Sequence, residues 1–228
     1  MNNRIPDKNF AHYLDLADHQ PIATQKNIEM LCHNVLKYGF NAAFVNPYYI
    51  TYARHNLKKE AKVGTVVSFP LGQDTLEHKI QAAQEAARLG ADEIDVSLNV
   101  ALIKEGLWEK SLEEMRTIVN AARAVKNDVI VKFIPETGYL TPSEIKQTAH
   151  LMVEAGADFF KTCSGMGPRG AHIEDVKLVR EAVGNQIKIK VAGGISTYEQ
   201  ACQFIEAGAD RIGTSKAVAI INEFLAKR

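Results

Sequence analysis

The sequence has no surplus of either charge. Its 27 lysines and arginines balance 27 aspartates and glutamates over 228 residues. That balance argues against a nucleic acid or an anionic membrane as the main partner, because such binding shows as a basic excess. No apolar run approaches the ~18 residues needed to span a bilayer, and the start, MNNRIPDKNF, lacks the apolar core of a secretory signal. A cytoplasmic protein is therefore expected. Cysteine is scarce: Cys32, Cys163 and Cys202 are odd in number and show no C-x-x-C spacing, so neither a disulfide framework nor a zinc knuckle is indicated. The seven histidines contain no H-x-H or H-x-x-x-H pair, which disfavours metal-dependent aldolases and hydrolases. No metal and no cofactor are expected, and most histidines read as surface or capping residues. Linkers, low-complexity tracts and charge runs are absent as well, and the 46% hydrophobic composition is that of an ordinary globular chain.

What is present is a regular alternation of strand and helix patterns. Strands are predicted at Tyr13 to Asp18, Asn41 to Val45, Lys62 to Phe69, Asp92 to Val100, Val129 to Ile134, around Lys161, at Ile187 to Ala192 and at Asp210 to Thr214. Helix starts between them are signalled by Thr24, by Pro47, by the pairs Asp74 and Glu77, Ser111 and Glu114, and Ser196 and Glu199, and by Thr141-Pro142 with Glu144. A helix is also predicted over Ile173 to Val183, and an apolar helix closes the chain. The fold class implied is α/β, a single (β/α)8 TIM barrel occupying residues 1–228 as one domain. Gly-Ala-Asp recurs at Gly90, Gly156 and Gly208, each time between a helix and the next strand, as though one tight turn were reused. Gly165, Gly167 and Gly170 spell G-x-G-x-x-G between a strand and a helix, which raises an open doubly wound sheet as the alternative. Pro168 removes a donor from that loop, and no acidic residue follows Val191-Ala192-Gly193 to hold a ribose.

In a barrel the helices cover the outer strand face, so residues that alternate with apolar ones point inward. Asp95 alternates with Ile94 and Val96, Lys132 with Val131 and Phe133, Lys161 with Phe160 and Thr162, and Lys190 with Ile189 and Val191. Four neighbouring strands would thus bring one carboxylate and three amines to a shared interior. Each buried charge costs several kcal/mol to desolvate unless it is paired. Ion pairing explains part of such a cluster. A lysine made nucleophilic by burial and a nearby cation is also the recipe for Schiff-base formation with a carbonyl compound, with a carboxylate moving the protons. Gly193-Gly194 after the seventh strand and Gly213-Thr214-Ser215 after the eighth suggest a phosphate cradle.

The segments NAAFVNPYY, TVVSFPLG, ADEIDVSLNVALIKEG, KFIPETGYLT, ADFFKTCSG, KIKVAGGI and RIGTS together resemble the deoxyribose-phosphate aldolase family over nearly the whole chain. That resemblance implies a lyase that cleaves 2-deoxyribose 5-phosphate reversibly to acetaldehyde and glyceraldehyde 3-phosphate, without a cofactor. It makes Lys161 the Schiff-base lysine, Lys190 the neighbour that lowers its pKa and Asp95 the proton-transfer carboxylate, with Asp15 and Lys132 in support. Residue periodicity alone does not choose among the three lysines. The phosphate would lie on Gly165, Gly193, Gly194, Gly213 and Ser215, with this chain's own Lys216 beside them as a flexible point charge. A homo-oligomer, dimer or tetramer, is implied on the same ground.

The chain departs from the family pattern where it would grip the phosphate. Leu16 and Ala17 stand where the family usually has His-Thr, Gln20 replaces a lysine, Ser196 replaces an arginine after the double glycine, and Lys216 replaces a serine. A serine lacks the bidentate fork that arginine offers to phosphate. Two rival readings stay open: the same aldol chemistry on another, non-phosphorylated acceptor, and a barrel that only binds sugar phosphates.

Overall fold

A computed structural model of the chain describes residues 10–227. Eight parallel strands close into one barrel in chain order, β1 (Leu14–Asp18), β2 (Ala42–Val45), β3 (Lys62–Val67), β4 (Glu93–Ser97), β5 (Ile130–Ile134), β6 (Phe159–Lys161), β7 (Lys188–Ala192) and β8 (Arg211–Thr214). β8 pairs back onto β1 through Asp15 and Gly213, which excludes the open doubly wound sheet. Around it lie α1 (Gln25–Tyr38), α2 (Ile50–Leu57), α3 (Leu76–Arg88), α4 (Val100–Lys104), α5 (Trp108–Val125), α6 (Pro142–Glu154), α7 (Ile173–Val183), α8 (Tyr198–Ala207) and α9 (Ala217–Ala226).

The core lies between strands and helices. Ile94 and Val96 of β4, Val131 and Phe133 of β5 and Ile189 and Val191 of β7 face outward and are buried under the helices. On α1 the apolar stripe Ile28, Leu31, Cys32 and Val35 is buried against them. Thr24 and Asn27 form its capping box, and Gly39 at φ 70° ends it in the left-handed region that costs glycine least. Thr141 and Glu144 form the expected box at α6, with Pro142 in its first turn.

Other helix starts fall elsewhere than expected. Thr75, not Asp74, caps α3 by accepting from the His78 N–H, and Thr197 with Gln200, not Ser196 with Glu199, boxes α8. Adjacent polar residues compete for one cap, and the backbone geometry selects between them. Ser111 and Glu114 cap nothing: α5 begins at Trp108, and Glu114 is buried where it pairs with Lys79 of α3. β4 also ends sooner than its alternation suggested. Asn99 leaves the strand and caps α4, its side chain accepting from the Ala101 N–H.

The Gly-Ala-Asp turns share one construction. Gly90, Gly156 and Gly208 all have positive φ, and the aspartate after each donates its own N–H to the preceding strand: Asp92 to the Val63 carbonyl, Asp158 to Val131 and Asp210 to Ile189. The carboxylates of Asp92, Asp158 and Asp210 accept the N–H groups of the same residues, Val63, Val131 and Ile189, in return. A helix arginine closes each clasp, Arg54 on Asp92, Arg123 on Asp158 and Arg180 on Asp210. Before β2 the same place is held by Gly39-Phe40-Asn41, and Asn41 donates its N–H to the Leu14 carbonyl. Its carboxamide turns inward to Asp15 and Glu93.

Candidate active site

Strand parity carries the charges inward as the alternation predicts. Asp15, Glu93, Asp95, Lys132 and Lys190 are fully or almost fully buried inside the barrel, and Lys161 is 3% exposed. Asp95 lies at the centre of the group. Its Oδ1 accepts Lys132 Nζ at 3.0 Å, and its Oδ2 lies 2.9 Å from Lys161 Nζ and 3.0 Å from Lys190 Nζ. Lys190 has a second carboxylate, Asp15, at 2.8 Å, and Lys132 a second in Glu93 at 2.5 Å. Asp95 is thus the only carboxylate paired with Lys161 among the described residues.

Register explains why these groups meet. Asp95 is the strand partner of Lys132, and Lys161 of Lys190, so the four side chains occupy neighbouring positions of the inner face. Two aromatic rings floor the cluster. Lys190 Nζ stands 3.3 Å from the Phe44 ring centre and Lys161 Nζ 5.5 Å from that of Phe69. Gly64 makes room for Phe44, because a Cβ there would come within 2.4 Å of the ring. Gly213, which the sequence places in a phosphate cradle, has a second reason to be glycine: a Cβ there would lie 2.8 Å from Lys190 Cε.

Two cluster members escaped the sequence reading. Glu93 is two residues before Asp95 and shares its parity, and Arg211 opens β8. Arg211 lies 3.0 Å from Asp15 and 3.9 Å from Glu93. The ensemble then holds three buried carboxylates, Asp15, Glu93 and Asp95, against three buried lysines, Lys132, Lys161 and Lys190, and the partly buried Arg211, before the half-exposed Lys62 on Glu93 is counted. A buried group with one uncompensated positive charge gives up a proton more readily than a balanced one.

Burial would raise the Asp95 carboxyl, yet Lys132, Lys161 and Lys190 hold it well below the usual range. Glu93 is likewise penalised by burial but is held down to about 2, chiefly by Lys132 and Arg211. Two of the buried lysines divide. Burial lowers the Lys190 ammonium despite Asp15 and Asp95, whereas Asp95, Glu93 and Asp15 overcome burial to raise Lys132.

Lys161 and Lys190 open onto a cavity of about 300 Å³ at the C-terminal ends of the strands, and Lys132 does not line it. Its walls include Gly165, Gly193, Gly194, Ser196, Gly213, Ser215 and Lys216, so the whole expected phosphate cradle borders the same space as the two lysines. Gly193 holds φ 100° and packs its Cα against Gly165. The described residues contain no group of three or more His, Cys, Asp or Glu side chains placed to hold a metal ion.

The DeoC/LacD family aldolase pattern matches residues 8–220. The chain belongs to this aldolase family. Among its relatives, "Deoxyribose-phosphate aldolase" of Caldicellulosiruptor saccharolyticus is 45% identical over 217 residues, covering 95% of this chain and 98% of that one. The protein of the same name from Thermococcus gammatolerans is 43% identical over 214 residues, 92% of this chain and 94% of the other. Among solved structures, the aldolase QR15 superposes with a TM-score of 0.91 at 38% identity, covering 96% of this chain and 97% of its own. The tetrameric deoxyribose phosphate aldolase from Aeropyrum pernix gives 0.88 at 30% identity, over 96% and 92%. Like other DeoC/LacD aldolases, this chain is a lyase.

Within the DeoC/LacD barrel, two further residues escaped the sequence reading. Glu136 has φ 53°, and its carboxylate accepts both the N–H and the hydroxyl of Ser164, pinning the loop that carries Gly165. His19, one of the seven histidines to which no role was given, lines the same cavity as Lys161 and Lys190, beside Phe44 and Phe69. It lies just past β1, where no periodicity marks a side chain as inward. The described residues contain no helix long and apolar enough to cross a membrane.

Proposed function

We propose that this aldolase cleaves 2-deoxy-D-ribose 5-phosphate reversibly to acetaldehyde and D-glyceraldehyde 3-phosphate through a Schiff base on Lys161. The observation that carries the reading is the sharing of one oxygen, Asp95 Oδ2, by Lys161 and Lys190 at the floor of the cavity. Two ammonium groups compete there for one carboxylate oxygen. Lys190 is retained by Asp15 and seated on Phe44, so Lys161, with Asp95 alone, is the amine free to swing toward a carbonyl. Lys190 and Lys132 stay behind, held by Asp15 and Glu93, as the groups that compete with the attacking amine for Asp95.

Attack by the Lys161 nitrogen on the sugar aldehyde gives a carbinolamine, which loses water to form the iminium. Asp95, within reach of that nitrogen, relays the protons of these steps. It then accepts the proton of the C3 hydroxyl as the C2–C3 bond breaks, releasing glyceraldehyde 3-phosphate and leaving the electron pair in the enamine. Protonation of the enamine carbon and hydrolysis return acetaldehyde and the free amine. Asp15 and Lys132 support the site by holding Lys190 and Asp95.

Gly165, Gly193, Gly194, Gly213 and Ser215 form the phosphate cradle of this reading, and Lys216, flanking the first turn of α9, supplies its mobile charge. One observation favours the second reading, a non-phosphorylated acceptor. The Ser196 N–H is already spent on Gln200 at 2.9 Å, so the position that carries arginine in the family offers neither a cation nor a free amide. Borohydride reduction in the presence of acetaldehyde tests the chemistry: an ethyl adduct on Lys161 is expected, and labelling of Lys132 or Lys190 instead would overturn the assignment. The kcat/KM values for 2-deoxyribose 5-phosphate and free 2-deoxyribose decide between the acceptors. A homo-oligomer is the assembly we adopt, on likeness to the tetrameric Aeropyrum pernix relative, and light scattering tests it. A cytoplasmic location fits the three free cysteines.

A further inference from the structure

His19 is not needed for the lysine chemistry, yet it is built into the reactive cavity. Its ring lies edge-on to Phe44, with centres 6.5 Å apart, and 5.3 Å from Phe69. These are the same two rings that carry Lys190 and Lys161, so the imidazole stands on the floor that orients the amines. It also borders a second cavity of about 660 Å³, lined by Pro21, Pro47, Leu71 and Met166 and sharing His19, Phe69 and Met166 with the first. The imidazole is thus part of the wall between the two spaces.

The chemistry of this wall is polar and unsatisfied. Nδ1 of His19 is shielded from solvent and has no hydrogen-bond partner among the described residues. A buried nitrogen without a partner is costly, and an incoming group that pairs with it recovers that cost. Burial first, and then the Lys161 and Lys190 cations against the pull of Asp95, push the imidazole down to about 3. The ring is neutral at any working pH, so one nitrogen donates and the other accepts. Such a group suits a hydroxyl, which can answer either role, and gains nothing from a methylene. His19 lines the same cavity as Lys161 and as Ser215 and Lys216 of the cradle, so a compound reaching from the amine to the cradle passes along the wall that holds the imidazole.

We propose that His19 is a specificity-determining residue whose imidazole hydrogen-bonds the hydroxyl next to the aldehyde carbon of the acceptor, selecting 2-hydroxyaldehydes over plain aldehydes. The inference rests on the Schiff-base reading above. A site that pairs its own buried polar group with a substrate hydroxyl discriminates against the analogue lacking it, because that group is then left unpaired.

The test uses acetaldehyde as donor and compares lactaldehyde with propanal as acceptor, which differ by that one hydroxyl. The ratio of their kcat/KM values is measured in wild type, His19→Leu and His19→Gln. We expect wild type to favour lactaldehyde, His19→Leu to lower the ratio by roughly 10-fold, and His19→Gln, which keeps a donor and an acceptor, to restore most of it. An unchanged ratio in His19→Leu overturns the inference, and so does an equal fall in His19→Gln, which would make His19 a wall of fixed volume only. Borohydride trapping of wild type separates the two levels of the argument. If Lys161 is not labelled, the Schiff-base reading falls and takes this one with it. If Lys161 is labelled and the ratio does not move, only the role of His19 is lost.

Discussion

Replacing Lys190 by methionine removes the charge that competes with Lys161 for Asp95 and keeps much of the side-chain volume on Phe44. The two nitrogens lie 2.9 and 3.0 Å from the same Asp95 oxygen, so their separation cannot exceed the two distances laid end to end, 5.9 Å. At an effective dielectric of about 20, two unit charges that far apart repel by about 3 kcal/mol, and any closer approach increases the value. Removing Lys190 relieves that repulsion and stabilises the protonated, unreactive amine by the same amount. Imine trapping at neutral pH should therefore slow about 100-fold. The variant should still fold, because Asp15 keeps Arg211 at 3.0 Å and Asp95 keeps Lys132 and Lys161. The assay is the rate of borohydride-trapped ethyl adduct on Lys161 against pH, with the fold followed by circular dichroism. Raising the pH should recover the rate in Lys190→Met, a response that lost packing would not give. Wild-type trapping by Lys190→Met at neutral pH would refute the electrostatic argument.

Asp95→Asn should still yield the adduct on Lys161, more slowly because the proton relay is lost, while carbon–carbon cleavage falls by ~10²–10⁴-fold; complete loss of the adduct together with loss of the fold by circular dichroism would assign Asp95 a structural role. The same substitution leaves three buried lysines short of a carboxylate and should cost about 3–5 kcal/mol in urea unfolding. Glu93 supplies a pH signature. Its folded carboxyl is depressed from 4.5 to about 2, so its contribution to stability is complete above pH 4.5 and is lost as the pH falls toward 2. Urea midpoints measured across that window should drop steeply in wild type and less steeply in Glu93→Gln. At the cradle, Lys216→Ser should lose selectivity for the phosphorylated over the free sugar, and Ser196→Arg should gain it, each by ~1.5–3 kcal/mol in the ratio of kcat/KM values. No change in Lys216→Ser would remove the idea that this lysine compensates for the missing arginine.

Strand parity was the most legible part of the sequence. Inside a barrel whose outer face is apolar, a polar residue flanked by apolar neighbours has one place to go, and Asp95, Lys132 and Lys190 went there. The same rule reaches Glu93, which shares the parity of Asp95 but was not counted among the inward charges. Helix starts were less legible for a local reason: Asp74 beside Thr75, and Ser196 beside Thr197, give two candidate caps one residue apart. The Ser111 and Glu114 pair misled for a tertiary one, since Glu114 answers a buried lysine on another helix. His19 could not be found by pattern, because its position depends on how the chain leaves β1 and on two aromatic rings, Phe44 of β2 and Phe69 of the turn after β3. Periodicity did not choose among the three lysines, because all three share the inward parity; family resemblance singled out Lys161, and the partner counts that support that proposal belong to the folded arrangement.

The three arginine clasps give the barrel a division of labour with consequences for its history. All three sit where strands begin, at the end of the barrel opposite the lysines, and they recur with every second strand like the hinges of one repeated panel. The fourth panel has given up its clasp: Asn41 takes the aspartate's place and points its amide at Asp15 and Glu93, so there the framework has been lent to the chemistry. Because the other three hold the lower rim without help from the mouth, residues at the mouth can drift at little cost to folding. Ala17, Gln20, Ser196 and Lys216, four of the five places where this chain differs from its family, lie at the mouth beside His19, and only Leu16 is buried in the core. Laboratory evolution toward new acceptors should find its tolerated substitutions there, and substitutions at Asp92, Asp158 or Asp210 should be purged first.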